Sequence, residues 1–222
     1  MKRGMTWLAF SLLGLAPMAE AQDKKLEIGG NIGYTLSDGV SGDPFRAGDG
    51  NVYDRIDPAD SISYGLSLGY FVTENVQLEF VWSRQPTTLE ISGTQTVEIG
   101  DLNIDNYHGG FSYHFGEIDA GARPYLSLGL GATSTGGLSF TDRTGVAREI
   151  DGATNFSGKL GAGIKIYPSD SVGLKLGANW TPTYIKSDNE GYWCDPYWGC
   201  YVVGDAQYMN QFELSAGISI RF

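Results

Sequence analysis

A chain of 222 residues with 15 Lys and Arg against 26 Asp and Glu has a net charge of −11, so it offers no basic surface to a phosphate backbone, and nucleic acid is excluded as a partner. Only 18% of its residues are charged, whereas 32 Gly, 13 Tyr, 10 Phe and 5 Trp are spread along it, a composition of short alternating strands rather than helices. The length suits one domain of about two hundred residues, and past residue 21 no window approaches the roughly twenty apolar residues of a spanning helix.

The chain opens on a leader pattern. Lys2 and Arg3 form a positive region, Met5 to Leu15 an apolar stretch, and Ala19-Glu20-Ala21 a small-residue cleavage site. Residues 1–21 are expected to be a signal peptide and 22–222 the exported domain, since an apolar run of about eleven residues is too short to cross a bilayer.

A first strand follows, with Leu26, Ile28, Ile32 and Tyr34 on one face and Lys25, Glu27, Asn31 and Thr35 on the other. The segment LSDGVSGDPFRAGDGNVYDRIDPAD is rich in Gly, Asp and Pro and reads as a loop. Its Asp49, Asn51, Asp54, Asp57 and Asp60 are oxygen donors of the kind calcium takes, but they lack the spacing of a calcium loop. They are a calcium candidate only; no metal and no cofactor is assigned.

SISYGLSLGYF sets Ile62, Tyr64, Leu66, Leu68 and Tyr70 against Ser and Gly, and a tight turn at Val72 to Asn75 leads to a third strand with Val76, Leu78, Phe80 and Trp82 on one face. Leu89 and Ile91 are expected to pair with Val97 and Ile99 as a hairpin continuing above this strand. The fourth strand points Tyr107, Phe111, Tyr113 and Phe115 one way and His108, Ser112 and His114 the other. A short connection around Gly116 to Ala122 precedes the fifth, RPYLSLGLGAT, whose Pro124 fits near a strand start. The second long loop, 134–154, is read as a hairpin with its tip at Asp142 to Gly145.

NFSGKLGAGIKIY and VGLKLGANWTPTY, joined by the turn YPSDS, are strands six and seven. GATNFSGKLG lacks the spacing of a phosphate loop and alternates as a strand. In GYWCDPYWGCYV, Cys194 and Cys200 close a short exported loop and are expected to form a disulfide. The last strand, Tyr208 to Phe222, alternates Tyr208, Phe212, Leu214, Ile218, Ile220 and Phe222 with Gln211, Glu213, Ser215, Ser219 and Arg221.

Eight strands with connections alternating long and short are the pattern of an eight-stranded antiparallel up-and-down transmembrane β-barrel. The expected arrangement has short periplasmic turns, long extracellular loops and both termini in the periplasm of the bacterial outer membrane. A water-soluble barrel would turn its apolar face inward. Eight strands leave a narrow interior that suits the Gly-rich and Ser-rich face better than the Leu, Ile, Tyr and Trp face.

The inward face then collects Lys25, Glu27, Glu79, Arg123, Lys159, Lys165, Lys175, Glu213 and Arg221. Paired charges would fill the lumen as a plug. The alternative is a narrow, anion-preferring, porin-like channel, because six of these are cations and three are carboxylates. His108, Ser112 and His114 invite comparison with lipid A deacylases, where hydroxyl, imidazole and carboxylate act together, but they point into the lumen and away from a lipid substrate.

The segments GYFVTENVQLEF, FSYHFGEIDAGARPYLSLGLGAT and LSAGISIRF resemble those of small outer-membrane β-barrels, and within them OmpW-type barrels. The resemblance implies fold and location more than activity. OmpW-type barrels are associated with a narrow hydrophobic conduit for small apolar solutes, whereas the upper inward positions here, Gly33, Thr35, Ser61, Ser83, Thr133 and Thr183, are small and polar. The resemblance implies outer-membrane lipid and lipopolysaccharide as surroundings, and recognition by the barrel-assembly machinery through the last strand with Phe222 as its signal. The expected protein is monomeric and non-enzymatic, with a structural or surface-interaction role; a solute channel is the alternative, and a lipid A-modifying enzyme is a more remote one.

Overall fold

The computed structural model describes residues 25–46, 51–117, 120–141, 147–185, 192–195, 199–202 and 207–222; the expected leader lies outside them. Period-2 alternation produces strands wherever the sequence sustains it. In chain order these are β1 (Leu26–Asp38), β2 (Val40–Arg46), β3 (Val52–Pro58), β4 (Ser61–Phe71), β5 (Val76–Gly93), β6 (Val97–His114) and β7 (Ala122–Thr135). They continue as β8 (Leu138–Thr141), β9 (Ala147–Ile150), β10 (Ala153–Ile166), β11 (Val172–Ile185), β12 (Tyr192–Asp195), β13 (Gly199–Val202) and β14 (Gln207–Arg221).

Eight of them close a ring in the order β1, β4, β5, β6, β7, β10, β11, β14, every pair antiparallel. The seam is β1 on β14, from Glu27 opposite Arg221 to Asp38 opposite Asn210. Closure leaves the ring no free edge.

Facing follows the alternation. Outward positions are large, apolar and uncovered: Leu214 is 68% exposed, Leu130 62% and Ile62 60%. Inward positions such as Ser63, Gln77, His108, Thr133, Lys165 and Thr183 are buried. An outer wall of this kind is tolerable only against lipid. Trp180 and Tyr208 lie toward one end of that wall and Tyr70, Tyr113, Phe115 and Phe222 toward the other, which is the distribution of two interfacial girdles. Beside Trp82, Arg84 grips Asp105 through Nε and Nη2, both at 2.8 Å, while the Trp82 indole donates to the same carboxylate at 3.1 Å.

One end of the barrel carries the tight turns. Thr73 Oγ1 accepts from the backbone N–H of Asn75 and Val76, and Ser169 Oγ accepts from Val172, so the first and last turns are each held by a hydroxyl. Gly116, at φ +88°, supplies the left-handed residue of the middle turn. Asn75 ties the first two turns together by donating to the carbonyls of His114 at 2.6 Å and Gly116 at 3.0 Å.

The other end carries the long connections. The expected hairpin above the third strand forms as a direct continuation of β5 and β6, with Ile91 opposite Val97; Leu89 falls opposite Gly100 rather than Ile99 because a bulge shifts the register. The first connection corrects the loop expectation. It folds as the hairpin β2–β3, which adds to the upper part of β5 with Ile56 opposite Ile91. Tyr53 and Ile91 are buried against Ile56 and Ile99, and that burial outweighs the Gly and Asp turn signals. Asp57 is held in it by the backbone N–H of Gly39 at 3.0 Å, Arg55 Nε at 2.7 Å and Ser92 Oγ at 2.7 Å. β8 pairs with β9 as expected, its tip 142–145 lying outside the described residues.

Candidate functional site

Among the described residues the lumen gathers the largest set of paired charged and polar side chains, and they lie in layers. At the tight-turn end Glu27 is the hub. Its Oε1 receives the Lys165 ammonium and, at 3.3 Å, Gln77 Nε2, while its Oε2 accepts from the Tyr167 hydroxyl at 3.1 Å. Lys165 also donates to Gln77 Oε1 at 2.9 Å. Arg221 Nη2 stands 3.7 Å from Glu27 Oε2, and its guanidinium packs on the rings of Phe71 and Tyr167 at 4.7 and 4.2 Å. Arg123, fully buried, donates to the Glu74 carbonyl at 2.7 Å.

One layer further in, Lys175 pairs with Glu79 at 2.7 Å, and the Ser112 hydroxyl donates to the other carboxylate oxygen at 2.9 Å. The low dielectric that strengthens each contact also makes an unpaired partner expensive. Above this pair is a polar cavity of about 30 Å³, lined by Lys159, Lys175, His108, Glu213 and Asn179 among others; that is room for a water molecule or two. Glu213 accepts from Ser63 at 3.1 Å and Asn179 at 3.3 Å, and Lys159 has no carboxylate within ion-pair distance among the described residues.

The next layer is a relay of hydrogen bonds that crosses the barrel. The Thr183 hydroxyl donates to Thr133 at 3.0 Å, Thr133 donates to Asn106 Oδ1 at 2.6 Å, and Asn106 Nδ2 donates to Gln211 Oε1 at 3.2 Å. Gln211 Nε2 donates to Gln85 Oε1 at 2.6 Å, and Gln85 Nε2 donates to Ser37 at 3.0 Å and the Ala59 carbonyl at 3.3 Å. The relay runs from β11 through β7, β6, β14 and β5 to β1, and so touches walls on opposite sides of the ring. Over it lies an apolar cap of Leu102, Ile104 and Met209, with Leu89 and Ile185 packed against them.

Asn106→Ala would strand the Thr133 hydroxyl and Gln211 Oε1 without their partners. The expected cost is about 1–3 kcal/mol, read as a lower urea midpoint of the folded barrel, with the cap and the ionic layer still in place.

The nine charges singled out in the sequence divide accordingly. Glu27, Lys165 and Arg221 meet; Glu79 and Lys175 meet; Lys159 and Glu213 line the cavity without meeting; Arg123 sits apart from carboxylates, on backbone carbonyls. Lys25 stays exposed at the rim. Sequence reasoning set Gln77, Tyr125 and Gln211 on the inward face without giving them a role, and it passed over Gln85, Asn106, Phe71 and Tyr167, although inward register could have found all but Tyr167. It also read the upper lumen as small and polar, whereas Leu102, Ile104 and Met209 make its last inward layer apolar.

His108 Nε2 lies 2.9 Å from Ser157 Oγ, Ser112 serves Glu79, and His114 is buried between the rings of Phe71 and Tyr125 at 5.2 and 5.8 Å. The three therefore share no relay. In the calcium candidate, Asp49 lies outside the described residues, Asp54 is exposed and Asp57 is engaged as above; among the described residues no three His, Cys, Asp or Glu cluster as metal ligands. Backbone pairing sets Cys194 opposite Cys200, their side chains lying outside the described set. Phe222 closes the seam, its N–H donating to the Leu26 carbonyl at 2.8 Å.

A sequence profile of the outer membrane protein beta-barrel domain matches residues 5–222. Outer membrane porin F of Pseudomonas aeruginosa is 28% identical over 138 residues, covering 59% of this chain and 35% of the porin, so the match spans about a third of that protein. Among solved structures, the outer membrane protein OprG of Pseudomonas aeruginosa superposes with a TM-score of 0.55 at 14% identity, covering 90% of this chain and 96% of its own. Neisserial surface protein A superposes with a TM-score of 0.52 at 14% identity, covering 89% and 97%. At such identities the likeness is one of fold.

Proposed function

The chain belongs to the outer membrane protein beta-barrel domain family, a bacterial outer-membrane barrel, and from that membership we propose that it is a sealed, non-enzymatic barrel whose role is structural or surface-interactive. The observation that carries this is the transverse relay from Thr183 to Ser37, roofed by the apolar cap and floored by the Glu27 and Glu79 ion pairs. A solute crossing the lumen would have to break all three, leaving buried polar and charged groups unpaired. Porin F, by its name, favours a conducting lumen, and the polar cavity around Lys159 is the space in the described lumen that would serve one. It is too small for anything beyond water. The catalytic reading is disfavoured because His108 and His114 are enclosed and share no carboxylate partner.

In the proposed orientation the tight turns and both termini are periplasmic, and the β2–β3 and β5–β6 hairpins stand outside the cell. Lipopolysaccharide would then surround the upper girdle, the barrel-assembly machinery would read the last strand, and Cys194 and Cys200 would be joined. An epitope inserted at Gly93–Thr94 should bind antibody on intact cells, and the same epitope at Ser169–Asp170 only after permeabilisation. The reverse pattern would overturn the orientation and with it the surface role. Flux is the test of the seal: proteoliposomes carrying the barrel should admit a small sugar no faster than empty ones.

A further inference from the structure

The tight-turn end of the lumen holds more positive charge than the Glu27 hub can answer. Lys165, Arg123 and Arg221 are all buried there, and Glu27 is the carboxylate that meets Lys165 and faces Arg221. Both Glu27 oxygens are already taken, Oε1 by Lys165 and Gln77 and Oε2 by Tyr167. The donors left over are specific ones. Arg221 Nε and Nη2, which form one edge of its guanidinium, have no hydrogen-bond acceptor, and neither have Arg123 Nε and Nη1. The Ser219 hydroxyl, two residues from Arg221 on the same face of β14, is likewise unpartnered, as are both ring nitrogens of the fully buried His114.

The guanidinium of Arg221 is stacked on Phe71 and Tyr167, so its faces are occupied and its bonding capacity is concentrated at the edge. That edge matches the two oxygens of a carboxylate or phosphate, the geometry in which arginine binds most strongly. Arg123 stands opposite Lys165 in the β7–β10 register, and Lys165 and Arg221 both approach Glu27, so the two guanidinium groups belong to the same end of the lumen and an anion there would act on both. Without such compensation Arg221 is left with Glu27, already committed to Lys165, while Arg123 has the weaker company of Glu74.

We propose that Arg221 and Arg123, assisted by Ser219, form a binding site for one small oxyanion at the tight-turn end of the barrel. The site uses donors to which the plug offers no hydrogen-bond acceptor, and it does not depend on whether the lumen conducts. It gives the barrel a stability that responds to anion concentration on the side where the turns lie.

The test titrates the refolded mature barrel in detergent with inorganic phosphate at constant ionic strength, chloride making up the balance, and follows the thermal midpoint of the heat-modifiable band. The midpoint should rise and saturate with phosphate, as ligand linkage requires. Arg221→Gln should raise the half-saturating concentration about tenfold or more, the loss of one bidentate charged contact, and Ser219→Ala, a milder change that keeps the fold, severalfold. Sulfate and acetate arms separate the sources. Saturation by phosphate and sulfate alone restricts the site to tetrahedral oxyanions, and saturation by acetate as well admits a carboxylate; both support the site. A phosphate response no larger than that of chloride, or one unchanged in both variants, overturns it.

Discussion

Lys165→Ala should lower the stability of the folded barrel by about 3–5 kcal/mol, the cost of leaving a buried carboxylate without its counter-charge. Lys165 and Glu27 are 1% and 5% exposed, and the ammonium contacts both Glu27 and Gln77. With the ammonium gone, Glu27 keeps the Tyr167 hydroxyl and Gln77, and Arg221 is still 3.7 Å away. None of these replaces a direct ion pair in a low-dielectric interior. Lys165→Met combined with Glu27→Gln should recover most of the loss, because removing both charges removes the penalty along with the attraction. Urea titration in lipid vesicles, with the folded fraction read from heat-modifiable migration, measures both. A Lys165→Ala barrel within 0.5 kcal/mol of wild type, an outcome far below the buried-pair range, would mean that the pair is hydrated and the lumen is wet.

On the outer wall, Leu214→Arg should cost about 2–4 kcal/mol in lipid. Leu214 stands near the middle of β14, opposite Tyr34 on one side and Ala178 on the other, and is 68% exposed. In a water-soluble barrel a charge at so exposed a position would be close to neutral, because nothing is desolvated. In a bilayer it is placed in the hydrocarbon. Tyr208→Arg, at the girdle end of the same strand, provides the internal control, with an expected cost of about 0–1 kcal/mol. Equal costs at the two positions would remove the depth dependence on which the lipid-facing assignment rests.

The alternation that places Leu214 outward was plain in the sequence, and so were most strand limits; β4 runs from Ser61 to Phe71 as the pattern reads. Such a pattern assigns faces, because successive side chains must point to opposite sides of a closed sheet. It does not assign heights. Glu27 meets Lys165 across 138 positions and Glu79 meets Lys175 across 96, and these pairings depend on strand tilt and stagger around the ring. Lys159 and Glu213 were equally legible as inward charges and do not meet.

The transverse relay was missed for a different reason. Asn106, Gln85 and Gln211 occupy inward positions, but neutral amides give no charge signal, and their partners come from strands far apart in the chain. The β2–β3 hairpin was hidden by its own composition. Gly, Asp and Pro read as turn punctuation, and only the edge of β5 and the burial of Tyr53 make an extended hairpin the better solution. Met209 was visible as the apolar exception on the polar face of the last strand, and Leu102 and Ile104 on β6 are the neighbours that explain it.

The claim on which the functional reading depends is that the lumen is closed from end to end. Single-channel conductance of the refolded mature barrel in a planar bilayer addresses it most directly, with heat-modifiable migration establishing that the preparation is folded. The closed lumen predicts no discrete conductance steps in the wild type. Discrete steps from the folded protein that change in amplitude or ion selectivity in the Glu79→Gln, Glu213→Gln double variant would place a pathway through the layers described above and contradict the account.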